Sequence, residues 1–198
     1  MRFTAVAATL TLGLGMVPAP ASAEESTTEV RPVRSVDLER YDGRWVQVAA
    51  IPQPFQAQCV RNDSAVYTVL PDGQVKVVNS CTRADGVTTS LEGRARQADP
   101  ASTSKLEVSF VRTADGWSFD EPGTYWVIGL DRDYRWAVVG APDRRSGFVL
   151  ARTPVPSRKD VLGMAQALVR NGYDLCDFRI TAQDGGAPDS APLCAGQP

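Results

Sequence analysis

From residue 44 to residue 152 apolar and polar residues alternate, and only short turn-forming clusters interrupt the alternation. Neighbouring side chains of a strand face opposite sides, so a period near two marks a sheet with one dry face and one wet face. Eight runs carry the pattern: RWVQVAAI (44–51), SAVYTVL (64–70), QVKVVNSCT (74–82), TTSLEGRARQ (88–97), KLEVSFV (105–111), TYWVIGL (124–130), YRWAVVGA (134–141) and SGFVLART (146–153). Between them lie Pro71-Asp72-Gly73, Ala84-Asp85-Gly86, Asp99-Pro100, Asp131-Arg132-Asp133 and Pro142-Asp143-Arg144-Arg145. Such clusters turn a chain because proline presets φ and glycine accepts a positive φ. The spacing predicts an all-β barrel or sandwich, and the short turns favour an eight-stranded up-and-down antiparallel β-barrel.

The period then changes. Pro154 and Pro156 end the last run, Ser157 can cap a helix, and Asp160 three residues on makes a variant of the capping box. Val161, Met164, Ala165 and Leu168, joined by Leu162 and Val169, recur at helical spacing up to Asn171-Gly172. This predicts a C-terminal α-helix with one apolar stripe, packed outside the barrel. DFRITAQ (177–183) reads as a short ninth strand, and residues 184–198 as a tail held by Cys194. At the other end, Arg2, the apolar stretch 5–17 and Ala21-Ser22-Ala23 have the form of a secretory signal peptide over residues 1–23. The apolar stretch is short for a bilayer span. Residues 24–35 are polar and read as a disordered lead-in, leaving residues 36–183 as one domain. The first cysteine is Cys59, far from the cleavage site, so no lipid anchor is expected and the mature protein is expected to be secreted.

What the chain lacks narrows its chemistry. There is no histidine among 198 residues, which removes Ser-His and Cys-His nucleophile pairs and histidine metal ligands together. The net charge of −2, with both signs mixed, gives no basic block for nucleic acid. Four cysteines in an exported chain imply two disulfides, and the absence of a Cys-x-x-Cys pair argues against a metal. Cys59 and Cys81 lie almost symmetrically about the Pro71-Asp72-Gly73 turn and are paired on that ground, leaving Cys176 with Cys194. No metal and no cofactor is expected.

Three motifs then fall in order on the predicted elements. DLERYDGRWVQVA (37–49) carries Gly43 and Trp45; GLDRDYRWAVV (129–139) carries Asp131 and Tyr134; VLARTP (149–154) carries Arg152. Together with eight strands, a helix and a ninth strand, they resemble the lipocalin family, and within it the bacterial outer-membrane lipocalins and apolipoprotein D. The resemblance spans residues 36–183. It implies that Trp45 lies across the closed end of the barrel with the Arg152 guanidinium on its indole face, a contact worth about 1–2 kcal/mol in a partly dry site. Gly43 would let the chain turn beneath them. These are structural residues in this reading. The resemblance also offers a second disulfide pattern, Cys59 with Cys194 and Cys81 with Cys176.

If Arg152 points inward, Leu150 and Phe148 do too, by alternation. Resemblance to apolipoprotein D supplies the parity of the other strands: Ala65, Tyr67 and Val69; Val75, Val77 and Asn79; Leu106, Val108 and Phe110; Tyr125 and Val127. An apolar cavity with polar tips suits a small hydrophobic ligand, and a fatty acid or lysophospholipid is the class the resemblance implies. The loop PQPFQAQC (52–59) is expected to arch over the open end. Phe55 there acts as an apolar gate or touches a membrane surface, or else packs on the loop's own prolines. Arg61, Arg94 and Arg96 either meet an anionic head group at the mouth or are solvated surface charge. Two rival functions stand beside ligand transport or sequestration: an interaction protein with a filled barrel, and an enzyme of the kind a few lipocalins are. With all four cysteines paired and no strand presenting two inward carboxylates, no catalytic residue is assigned. Oligomeric state is open.

Overall fold

The structure is a computed structural model and describes residues 29–196. Eight antiparallel strands form the barrel: β1 (Gly43–Ala50), β2 (Cys59–Val69), β3 (Val75–Arg83), β4 (Thr88–Asp99), β5 (Ser102–Ser109), β8 (Gly123–Leu130), β9 (Trp136–Gly140) and β10 (Gly147–Ala151). Each pairs with the next, and β10 pairs with β1 to close the ring. The strands expected from alternation are all present. The ninth strand shrinks to β11 (Arg179–Ile180), which joins the upper end of β1. A side hairpin, β6 (Arg112–Thr113) and β7 (Gly116–Trp117), interrupts the link between β5 and β8. Its runs are too short for periodicity to show them. Residues 1–28, which include the expected signal peptide, lie outside the described residues.

Alternation divides the apolar residues into two cores. Trp45, Ala65, Tyr67, Val75, Val77, Ala95, Leu106, Tyr125, Val127, Ala137, Val139 and Leu150 fill the barrel interior. Ala49, Ile128, Trp136, Val138, Val149 and Ala151 face outward and meet α2 (Arg158–Arg170) through Met164, Ala167 and Leu168. Ser157 caps α2: its Oγ accepts the Asp160 N–H and donates to the Asp160 carboxylate at 2.6 Å. The stripe is narrower than its spacing implies, because Leu162 and Val169 are exposed. The small residues Ala167 and Gly129 let helix and barrel approach closely; a Cβ on Gly129 would lie 2.5 Å from that of Ala167.

Two terminal segments are more tightly held than composition suggests. Val30 is buried in the outer core and Val33 packs against the inner one, while the Val33 N–H donates to Val127 O. The last part of the expected disordered lead-in is therefore docked: its valines, three residues apart, find apolar partners. Beyond β11, the Ile180 N–H bonds Ala191 O and the Leu193 N–H bonds Phe178 O, so backbone pairing as well as Cys194 secures the tail. Gly129→Ala is expected to overpack the helix–barrel contact, lowering stability by about 1–3 kcal/mol in thermal or denaturant unfolding with the fold retained.

Candidate functional site

The floor of the barrel is built by a short helix, α1 (Leu38–Tyr41), whose cap Asp37 accepts the Arg40 N–H. Gly43 follows at φ 94°, a left-handed conformation that suits glycine. Trp45, 0% exposed, donates its indole N–H to Tyr41 O at 2.7 Å. The Arg152 guanidinium carbon stands 3.9 Å from the Trp45 ring centroid. Its nitrogens donate to the carbonyls of Arg40 (2.8 Å), Asp42 (3.0 Å), Arg44 (3.0 Å) and Tyr134 (3.3 Å). Burial among carbonyls pulls this guanidinium below its ordinary pKa. Asp131 accepts from Arg135 and from the Asp133 and Arg135 N–H groups, which holds its carboxyl down at about 2. Tyr134 accepts the Asp37 N–H on its hydroxyl and carries Arg40 on its ring, fixing α1 to the β8–β9 turn.

Above the floor three phenols meet. The Tyr125 hydroxyl lies 2.9 Å from that of Tyr41 and 3.0 Å from that of Tyr67. Burial raises all three, Tyr67 to about 12, so they stay neutral. Three hydroxyl hydrogens share two hydrogen bonds, so one is left without a partner among the described residues. Beside them is a void of about 10 Å³, lined by the trio with Val69, Val75, Ala95, Leu106 and Val108 and by Leu38 and Asp42 of the floor. That is near the least space a single water needs. The lower barrel is thus closely filled.

The upper barrel differs. Asn79 pairs with the inward Ala65 on one side and with Leu91 on the other, which sets both on the lumen face. Leu91 is nonetheless 56% exposed and Phe110, resting on Gly93, 36% exposed. Phe148 and Val108 are half-buried against the inner core. These are lumen-facing apolar side chains that still meet solvent, and they outline the mouth of the barrel, which we call the upper cup. Val77, Val127 and Leu150 lie deeper and are buried in its wall. Phe55, on the one-turn helix Pro54–Gln56, is 65% exposed.

One polar cluster at the mouth escapes motif reasoning. Asp63, 8% exposed, continues the inward parity of Val69, Tyr67 and Ala65, and its carboxylate lies within 4.8 Å of the Cys59 and Cys81 sulfurs. Those sulfurs are bonded to each other, and Cys176 bonds Cys194. Gln56 donates from one amide nitrogen to Asp63 Oδ1 at 2.9 Å and to Gln47 Oε1 at 3.0 Å. Here β1 and β2 part, their pairing ending at Val46 and Ser64, and Gln183 fills the seam by donating to Gln47 O and Asp63 O. Burial lifts the Asp63 carboxyl from 3.8 to about 6. The spacing 63–65–67–69 was the available signal, but Asn62 at φ 61° and the bulge before Ser64 obscure where the alternation ends.

The arginines do not enter the cup. Arg61 pairs with Asp184, Arg96 pairs with Glu107 and stacks on Phe119, and Arg94 lies over Trp117 on the outer face. Of the two readings of these arginines, surface charge is the one their placement fits: alternation puts Arg94 and Arg96 on the face opposite Gly93 and Ala95.

The chain matches the family model described as a lipocalin-like domain over residues 36–183. It is 34% identical over 163 residues to temperature-induced lipocalin-1 of Arabidopsis thaliana, covering 82% of this chain and 87% of that one. It is 32% identical over 154 residues to the outer membrane lipoprotein Blc of Escherichia coli K12, covering 77% and 82%. It is 34% identical over 155 residues to apolipoprotein D of Macaca fascicularis, covering 75% and 77%.

Asp63 carries a stability prediction. Its folded carboxyl holds a proton more tightly than the unfolded one at 3.8, so the wild type loses stability as pH rises from about 4 past 6. Asp63→Asn lacks this loss. It is expected to match the wild type near pH 4 and to be more stable at about pH 7.5, by on the order of 2 kcal/mol in urea unfolding.

Proposed function

The chain belongs to the lipocalin family, whose members bind small hydrophobic ligands, and from that premise we propose that it is a secreted carrier that transports or sequesters one such ligand in the upper cup. The observation that supports this most is the half-exposed apolar lumen face of Leu91, Phe110 and Phe148 above a sealed floor. An oily chain placed there removes its own surface and theirs from water. Each methylene buried contributes about 0.8 kcal/mol, and ordering the ligand takes much of that back, so affinity near micromolar is expected. Val77, Asn79, Val108, Phe110, Val127, Phe148 and Leu150 are proposed to line the chain, with the Tyr67 and Tyr125 hydroxyls and Val69 beneath its tip. Phe55 at the rim is proposed as the gate and as a transient contact with a membrane surface. Fatty acids and lysophospholipids are the candidate ligand classes. Secretion is proposed on the leader-like residues 1–23 and on two disulfides, which fit an oxidising compartment. With all four cysteines in disulfides, the thiol nucleophile of a catalytic lipocalin has no counterpart, and we read the protein as a binder rather than an enzyme.

The small lower void favours one second reading, a barrel that is filled and acts through its loops on another macromolecule. Displacement of a fluorescent fatty acid separates the two. Uptake at low micromolar concentration supports the carrier, and no uptake at tens of micromolar supports the filled barrel. Phe148→Asp places a charge on the apolar lumen wall. It is expected to weaken uptake by about tenfold or more with circular dichroism near that of the wild type. Unchanged uptake would remove the cup from the account.

A further inference from the structure

The charges inside the barrel are unbalanced. The cation at its floor, Arg152, is committed to the Trp45 ring and four carbonyls. Two carboxylates face inward instead. Asp42 at the bottom accepts the Val69 N–H on Oδ2 at 2.9 Å. Asp63 at the mouth has one oxygen held by Gln56; Oδ2 accepts from no other side chain among the described residues and is not sealed from solvent. Every element packed around Asp63 presents an uncharged group to it: Gln56 from the loop, Gln47 from β1, the Cys81 sulfur from β3 and Gln183 from the C-terminal segment. The nearest cations along β2 and β3, Arg61 and Arg83, are held at the surface by Asp184 and Asp85. A carboxylate more than nine-tenths buried with no cation beside it is less stable than one in water, and a positive charge brought to its open oxygen would offset that cost. Asparagine would keep the Gln56 contact without that penalty.

We propose that Asp63 is the head-group anchor of the cup and selects chain-bearing ligands whose polar end is cationic, an ammonium group above all. This rests on the reading that the upper cup holds an apolar chain. The chain lies on Leu91, Val108, Phe110 and Phe148, and its ammonium end donates to Asp63 Oδ2 beneath the loop 52–59. Such a charge-assisted bond in a partly dry site is stronger than a neutral one. A carboxylate end at the same place meets Asp63 as a like charge with no lumen cation to offset it. Of the two candidate classes, an ammonium-bearing lysophospholipid fits and a free fatty acid does not. The raised Asp63 carboxyl agrees, since no neighbouring charge holds it down.

The test uses the full mature chain and the neutral probe N-phenyl-1-naphthylamine, displaced by dodecylammonium, dodecanol and dodecanoate at about pH 8. Dodecylammonium is expected to displace the probe at a concentration about tenfold below dodecanoate, with dodecanol between them. Asp63→Asn is expected to bring all three within about threefold while still taking up the probe. The ammonium preference of the wild type is expected to fade towards pH 5, as Asp63 gains a proton. Equal or tighter binding of dodecanoate, or an ammonium preference that survives in Asp63→Asn, would overturn the anchor and leave the carrier standing. Failure of all three chains to bind would instead remove the carrier, and the anchor with it.

Discussion

The Arg152 guanidinium on the Trp45 indole is the contact on which the barrel closes. Guanidinium is planar and carries five N–H donors, so it covers an aromatic face and still reaches carbonyls around its edge. Here those carbonyls belong to α1, to the residues on either side of Gly43, and to the β8–β9 turn. One side chain from the end of β10 thereby joins segments far apart in sequence. Lysine, a point charge with three donors, could not stack and bridge in the same way. Because Arg152 points inward, the alternation of β10 is fixed, and ladder pairing passes that parity from strand to strand around the ring.

The interior is graded from this floor upward. The lowest layer is aromatic and hydrogen-bonded, with phenols kept neutral by burial. The middle is aliphatic and closed. The top is apolar but wet, rimmed by Asp63, Asn79 and an exposed Phe55. Close packing therefore lies at the floor, and the solvent-exposed apolar side chains lie where a ligand is proposed to enter. Buried without a cation beside it and lifted to about 6, Asp63 is expected to weaken the fold at neutral pH, a cost its proposed role as an anchor would account for. The seam beside it, where β1 and β2 part, depends on the Gln183 amide for its backbone hydrogen bonds, so the disulfide-bound C-terminal segment completes the wall.

Period and turn chemistry made the barrel legible, since side-chain alternation and the Pro-Asp-Gly type of break are local properties. The capped helix after Pro156 was legible for the same reason. The side hairpin was not, because two-residue strands leave no period. Nor was the docking of Val30 and Val33, whose polar surroundings masked three-residue spacing. In the site, the inward position of Phe148 followed from its alternation with Arg152, and those of Tyr67 and Tyr125 from the family resemblance, but that Tyr41 joins the two phenols depends on how α1 folds under the barrel. Asp63 was hidden by the bulge at Asn62, and Gln47, Gln56 and Gln183 converge on it from three separate segments. The size of the lower void is a packing outcome that no alternation pattern encodes.

The central claim is that a chain-like guest lies inside the upper cup, above the tyrosines. Intermolecular nuclear Overhauser effects between a bound dodecyl chain and the methyl groups of the protein test it most directly. The account predicts contacts to Leu91, Val108 and Val139 on the lumen face, and none to Val138 or Val149 beneath α2. Contacts confined to the exposed outer residues Val155, Leu162 and Val169 would contradict it.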